Sequence, residues 1–178
     1  MKTLIGTIIL SAVCLVAQPQ SFYSFKVKTL DGGEFDFSSL KGKKVLIVNT
    51  ASKCGNTPQY ADLEKMYKEY KDKGLVIIGF PANNFNQQEP GTDAQIQEFC
   101  TKNYGVTFPM MSKISVKGND MAPVYQWLTE KSKNGVMDSQ VKWNFQKYMI
   151  DEKGNLVGEV DPPVNPYCDK ILTWLKGS

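Results

Sequence analysis

Two short runs of residues decide most of what this chain can become. K-V-L-I-V-N-T at 44–50 and L-V-I-I-G-F at 75–80 are apolar without alternation, the pattern of strands buried on both faces. Between them, residues 58–71 carry Leu63, Met66, Tyr67 and Tyr70 at helical spacing, with Pro58 tolerated in the first turn and Gly74 as the stop. Strand, helix, strand in that order is a right-handed parallel crossover.

The flanks add antiparallel pieces. Residues 25–29 and 34–37 alternate on either side of D-G-G and read as a hairpin. Thr92 or Asp93 caps a helix carrying Ile96, Phe99 and Cys100, and a further helix is predicted over 121–131. F-Q-K-Y-M-I, the turn D-E-K-G-N and L-V-G-E-V form a second hairpin, and residues 167–176 close the chain as a helix. A parallel crossover followed by an antiparallel hairpin and a last helix predicts the α/β class and a thioredoxin-like fold, a central mixed β-sheet flanked by helices on both faces.

With 178 residues, of which 42% are hydrophobic, the chain can fill one core but not two comfortable ones. Residues 21–178 show no repeat or linker and are taken as a single domain. Residues 1–20 read as a leader: Lys2 precedes an apolar stretch at 4–16, too short to span a bilayer and suited to a signal-peptide core. The expectation is export, to a periplasm or the outside, with a lipid anchor through Cys14 as the alternative because S-A-V-C resembles a lipoprotein box. The net charge of +3 is small, and lysines alternate with acids in K-M-Y-K-E-Y-K-D-K-G. That is a solvated helix face and not a nucleic-acid surface. The chain has no histidine, which excludes Cys-His hydrolases and histidine-ligated metals, and all 21 basic residues are lysine, so no guanidinium clamp exists.

N-T-A-S-K-C-G-N-T-P at 49–58 places Cys54 where a C-x-x-C motif has its first sulfur, but Thr57 stands in the second position. Between a buried strand and the first turn of a helix, free backbone N–H groups favour an anion, and Lys53 adds to the effect, so the position predicts a thiolate. The alternative is a buried structural cysteine. The polar, glycine-containing loop argues for an accessible, reactive thiol.

Three blocks, N-T-A-S-K-C-G-N-T, then G-F-P-A-N-N-F-N-Q-Q-E-P-G at 79–91, then K-W-N-F at 142–145, resemble in order and separation the signatures of the glutathione peroxidase family. The likeness extends over about residues 24 to 177. It implies a thioredoxin-like fold and reduction of hydroperoxides, here by cysteine and with no cofactor. Carried over, the catalytic residues are Cys54, Gln88, Trp143 and Asn144; the three beside the thiol are N–H donors, suited to stabilising a departing oxygen without a titrating base. Cys100 matches the resolving cysteine of two-cysteine members, which would condense with a Cys54 sulfenic acid to form a disulfide. Such members use a thioredoxin-like protein as reductant. The absence of arginine fits that donor better than glutathione, which stays open as the alternative. Ala82 and Asn84 depart from the usual F-P-C-N-Q-F, Cys168 matches no functional position, and the short stretch between Trp127 and Trp143 implies a monomer. A disulfide exchanger lacks its second sulfur here, a copper chaperone lacks histidine, and a peroxide sensor of the same fold stays open.

Overall fold

In the computed structural model of the chain, which describes residues 19–177, β3 (Lys44–Thr50) pairs in parallel with β4 (Leu75–Pro81) over seven residues, Lys44 against Leu75 through Thr50 against Pro81. On its other side β3 pairs antiparallel with β5 (Lys147–Ile150), which in turn pairs antiparallel with β6 (Leu156–Val160). The order β4-β3-β5-β6 puts β3 in the interior, and six of its seven residues are buried. β1 (Lys26–Lys28) and β2 (Glu34–Asp36) form a separate hairpin. This is the thioredoxin-like mixed sheet that the run pattern predicts. The leader, including Cys14, lies outside the described residues. Among the described residues no helix is long and apolar enough to cross a membrane.

Among the described residues five α-helices follow from local signals. α1 (Gln59–Tyr70) runs into a tight turn that ends at Gly74, whose φ of 94° is a left-handed stop. α2 (Asp93–Tyr104) opens with a reciprocal capping box between Thr92 and Gln95 and closes at Gly105. α3 (Pro123–Thr129) and α4 (Lys131–Asn134) replace the single helix predicted over 121–131. Pro123 at the first helical position holds Ala122 extended, and Glu130 breaks the helix with φ −112° and ψ 115°. α5 (Asp169–Lys176) begins two residues after its predicted start because Cys168 is its extended N-cap.

The alternation of β3 splits the core. Val45 and Ile47 join Ile78, Phe80, Tyr148 and Ile150 under Tyr125, Trp127 and Leu128 of α3, where Phe22, Phe25 and Phe37 close the layer. Leu46 and Val48 face Tyr60, Leu63 and Met66 of α1, Ile96 and Cys100 of α2 and Ile171 of α5. Each such buried aliphatic or aromatic side chain contributes about 1.5–3 kcal/mol.

One cation lies in this core. Lys147 opens β5 with 0% exposure, and its ammonium donates to the carbonyls of Pro162 (3.0 Å) and Val164 (2.6 Å), pinning the D-P-P-V loop. Burial pushes its pKa from 10.5 down to about 8, with Cys168 and Asp161 pulling weakly the other way. Between those two pH values the unfolded chain holds a proton that the folded one has shed, so unfolding becomes harder as pH rises through the window. The unfolding free energy of the wild type measured by urea is therefore expected to rise, relative to Lys147→Met, by about 2 kcal/mol from pH 7.5 to 10. A difference that stays flat would mean that the ammonium is not disfavoured inside the fold.

Candidate active site

Thr57, which stands where a second sulfur would be, shapes the loop that carries Cys54. Its Oγ1 accepts the Cys54 N–H (3.0 Å) and donates to the Ala51 carbonyl (2.9 Å), while its own N–H donates to the Cys54 carbonyl (3.0 Å). A chain of such three-residue turns, Gln59 to Asn56, Tyr60 to Thr57 and Ala61 to Pro58, carries the backbone from β3 into α1. The helix proper thus begins at Gln59, after Cys54 and not around it. One backbone N–H, that of Asn56, reaches the Cys54 sulfur at 3.4 Å.

The polar loop does not expose the thiol as the sequence suggests. Lys53 and Gly55 point to solvent, but Cys54 is 9% exposed and belongs to the buried cluster of Tyr60 and Phe145. The Thr57 clamp closes the turn so that alternate side chains face opposite ways.

The second block supplies Gln88 through an unusual backbone. Asn86 and Gln87 are successive left-handed residues, φ 50° and 53°, a conformation that asparagine tolerates better than most. The turn is braced by Asn83, whose Oδ1 accepts the Glu89 N–H (2.9 Å), and by Lys113, whose ammonium donates to the carbonyls of Glu89 (3.2 Å) and Gly91 (2.6 Å). Asn84, at a position that departs from the family pattern, ties this loop to Ser115 and Lys117.

The third block is strained as well. Phe145 has φ 71°, which for a bulky residue costs of order 1–3 kcal/mol. Its ring is buried edge-on to Tyr60 at 5.3 Å, and its N–H donates to the Asn49 carbonyl at 2.6 Å. The Asn49 side chain donates to the Trp143 carbonyl (3.1 Å) and accepts from the Gln146 N–H (3.1 Å). This turn is why the strand predicted from Phe145 starts at Lys147.

Hydrogen bonds join the three blocks. Lys53 N–H donates to the Gln88 carbonyl (3.0 Å), Asn56 Nδ2 to the Asn144 carbonyl (3.2 Å), and Asn144 Nδ2 to Gln88 Oε1 (2.9 Å). The last bond turns the Gln88 oxygen towards Asn144 and leaves its amide nitrogen as the free end. Asn144 is fully buried, with Oδ1 unpartnered. Trp143 packs against the cluster that contains Cys54 and tilts on Phe85 at 5.3 Å.

Cys100 lies in the same buried cluster, on α2, with 2% exposure. Burial is the main cause that pushes its thiol up to about 11, and the Glu89 carboxyl adds to the rise. Between the Cys54 loop and α2 runs a cleft of about 400 Å³, bounded by Ser52 and Lys53 on one side and by Gln95, Ile96 and Phe99 on the other. Glu89 forms part of its wall. Cys168 sits apart, half-buried at the start of α5. Sequence reasoning passed over Asn49, Asn56 and Glu89, and read Thr57 only as the place of a missing sulfur. The signal for Glu89 was an acid enclosed by Gln88 and Pro90 in a turn otherwise free of charge. Among the described residues no group of three or more metal-ligating acids or cysteines occurs.

Residues 22–129 match the glutathione peroxidase family profile. The glutathione peroxidase-like peroxiredoxin gpx1 of Schizosaccharomyces pombe is 52% identical over 136 residues, covering 76% of this chain and 85% of that protein. The glutathione peroxidase homolog BsaA of Bacillus subtilis is 47% identical over 146 residues, 82% of this chain and 91% of that one. The apo crystal structure of Trgpx superposes with a TM-score of 0.69 at 38% identity, over 90% of this chain and 98% of its own. A thiol:disulfide interchange protein of Chlorobium tepidum, at 24% identity and TM-score 0.64, shares the fold. The chain belongs to the glutathione peroxidase family.

Proposed function

We infer that the peroxidase activity of this family resides here in the Cys54 thiol, with Gln88, Trp143 and Asn144 as its supporting donors. The observation that carries the assignment is the closed set of hydrogen bonds from the Cys54 loop to Gln88 and Asn144 and between those two side chains. Attack of the Cys54 sulfur on a hydroperoxide forms an S–O bond and breaks the O–O bond. The product is a sulfenic acid, and the departing oxygen needs a proton and stabilising donors. Gln88 Nε2 and the Trp143 indole N–H supply the donors, and Asn144 holds Gln88 in its orientation. Neither hydrogen-bonds the sulfur among the described residues, which suits donors intended for an oxygen that arrives with the substrate.

Cys100 then condenses with the sulfenic acid, expelling water and leaving a disulfide that a thioredoxin-like protein reduces. A disulfide needs Cα atoms within about 7 Å of each other, and Cys100 is buried within an intact helix, so α2 has to open. Its grip supports that step: of twelve residues only Ile96 and Cys100 are buried. Glutathione as donor, and a peroxide sensor that passes oxidation to a partner, are the competing readings. We further propose that the protein is a monomer and that its leader directs export. The Trp127 indole donates to the Gln20 carbonyl at 2.7 Å, so the folded body begins at or before the last residue of the expected leader.

Cys54→Ser is expected to abolish peroxide consumption. Cys100→Ala should consume one equivalent of peroxide and then stall with a thioredoxin-type donor; undiminished turnover would take Cys100 out of the mechanism. Gln88→Leu and Asn144→Ala should slow oxidation of Cys54 by roughly a hundredfold to a thousandfold, read by stopped-flow tryptophan fluorescence, and an unchanged rate would sink those roles. Purified protein supplied with reduced thioredoxin or with glutathione should turn over rapidly with the first only, whereas preference for glutathione would reverse the donor assignment.

A further inference from the structure

Glu89 is fully buried in the wall of the cleft between the Cys54 loop and α2. Its Oε1 accepts a hydrogen bond from Ser52 Oγ at 2.5 Å, two residues before Cys54, which anchors the carboxyl to the Cys54 loop. Its Oε2 is buried with no partner, and so are the Tyr60 hydroxyl and Thr50 Oγ1. Leaving a buried acceptor unsatisfied costs about 1–3 kcal/mol, so the unpartnered Oε2 of Glu89 calls for a reason. Tyr60 OH lies beside Cys100 and Thr50, and Glu89 is within electrostatic reach of both Tyr60 and Cys100.

The chemistry of the second step supplies a reason to keep it. The Cys100 thiol, pushed up to about 11, holds its proton at neutral pH, and a thiol is a poor nucleophile. We propose that Glu89 accepts the Cys100 proton as the disulfide forms and hands it to the departing oxygen. As α2 releases Cys100 from its place beside Tyr60, the S–H bond breaks and the proton passes to Glu89 Oε2, directly or through the Tyr60 hydroxyl. The sulfur electron pair forms the S–S bond with Cys54, whose S–O bond breaks. The oxygen leaves with that pair and takes the proton from Glu89 as water. Sulfenic acid and thiol become disulfide and water, and Glu89 ends as it began. The assignment rests on Cys100 being the resolving thiol.

The charged and titratable groups that face Glu89 are Lys53 from the Cys54 loop, Lys113 from the segment after α2, Tyr60 from α1 and Cys100 from α2. Burial raises the carboxyl above its ordinary range, while Ser52 and the two lysines pull it down. A carboxyl raised in this way is a better match for a thiol proton than an exposed one.

The test separates the two steps on the full-length chain. Cys54 is oxidised with one equivalent of hydrogen peroxide, and quenched samples are scored by mass spectrometry for dimedone-trapped sulfenic acid and for disulfide, from pH 5 to 9. The readout is the rate of disulfide formation divided by the rate of peroxide oxidation in the same protein. In Glu89→Gln that ratio is expected to fall by roughly a hundredfold or more at pH 7. Its rate should climb about tenfold per pH unit throughout, where the wild type levels off above the Glu89 range. Ser52→Ala, which keeps the acid but removes the bond that lowers its pKa, should shift the wild-type acidic limb to higher pH. A Glu89→Gln profile with the wild-type shape, slowed or not, overturns the proposal, as does an unmoved limb in Ser52→Ala. An intramolecular disulfide forming at the wild-type rate in Cys100→Ala overturns the Cys100 reading instead, and this proposal falls with it.

Discussion

The pairing of β3 with strands of opposite direction on its two edges is the constraint from which the candidate site follows. Because β3 and β4 are parallel, their carboxyl ends lie at the same end of the sheet, Thr50 beside Pro81. Because β5 is antiparallel to β3, its amino end lies there too, Lys147 beside Val48. The loop after β3 carries Cys54, the loop after β4 carries Gln88, and the turn before β5 carries Trp143 and Asn144. Blocks separated by tens of residues in sequence therefore meet by strand direction alone, the usual placement of sites beyond the carboxyl ends of strands. The burial of β3 on both faces fixes the register that makes the meeting reproducible.

Strand direction brings the loops near one another, and backbone strain sets their final orientation. Among the described residues the three non-glycine positions with positive φ, Asn86, Gln87 and Phe145, all lie in the loops that converge on Cys54. Their cost is carried by neighbours that have little else to do: Asn49 bonds both sides of the Phe145 turn, and Asn83 and Lys113 hold the turn that presents Gln88. On the assignment proposed above, the donors are then fixed before any substrate arrives, the condition under which they would act most strongly on developing charge.

Where a residue's role depends on its own segment, the sequence was readable. The two apolar runs, the helix cap, which falls on Thr92 of the two candidates, and the stop at Gly74 depend on neighbours three or four positions away, and the structure has them where the pattern allows. Cys54, Gln88, Trp143 and Asn144 stood out because each sits in a block with a family signature. What stayed hidden depends on distant partners. The inward turn of Cys54 needs the Thr57 clamp, and a polar loop gives no hint of which side chain it buries. Phe145 reads as a strand residue until Asn49 is known to hold it in a left-handed bend. Lys147 in a core strand makes sense only with the Pro162 and Val164 carbonyls beside it. The helix over 121–131 failed at Glu130, a residue of good helix propensity, because the Thr129 carbonyl accepts the Ser139 N–H and the Lys131 N–H donates to Asp138, partners ten and seven positions away.

The light anchoring of α2 has a consequence for recognition. With most of its twelve residues facing water and two side chains buried, the helix presents a polar outer surface whose outline depends on whether Cys100 lies beneath it or has swung towards Cys54. On the reading given above, the reduced and oxidised proteins would differ in silhouette as well as in bonding. A reducing partner could then sort spent molecules from charged ones by fit alone, docking on the opened segment before any sulfur is exchanged and passing over those with nothing to reduce.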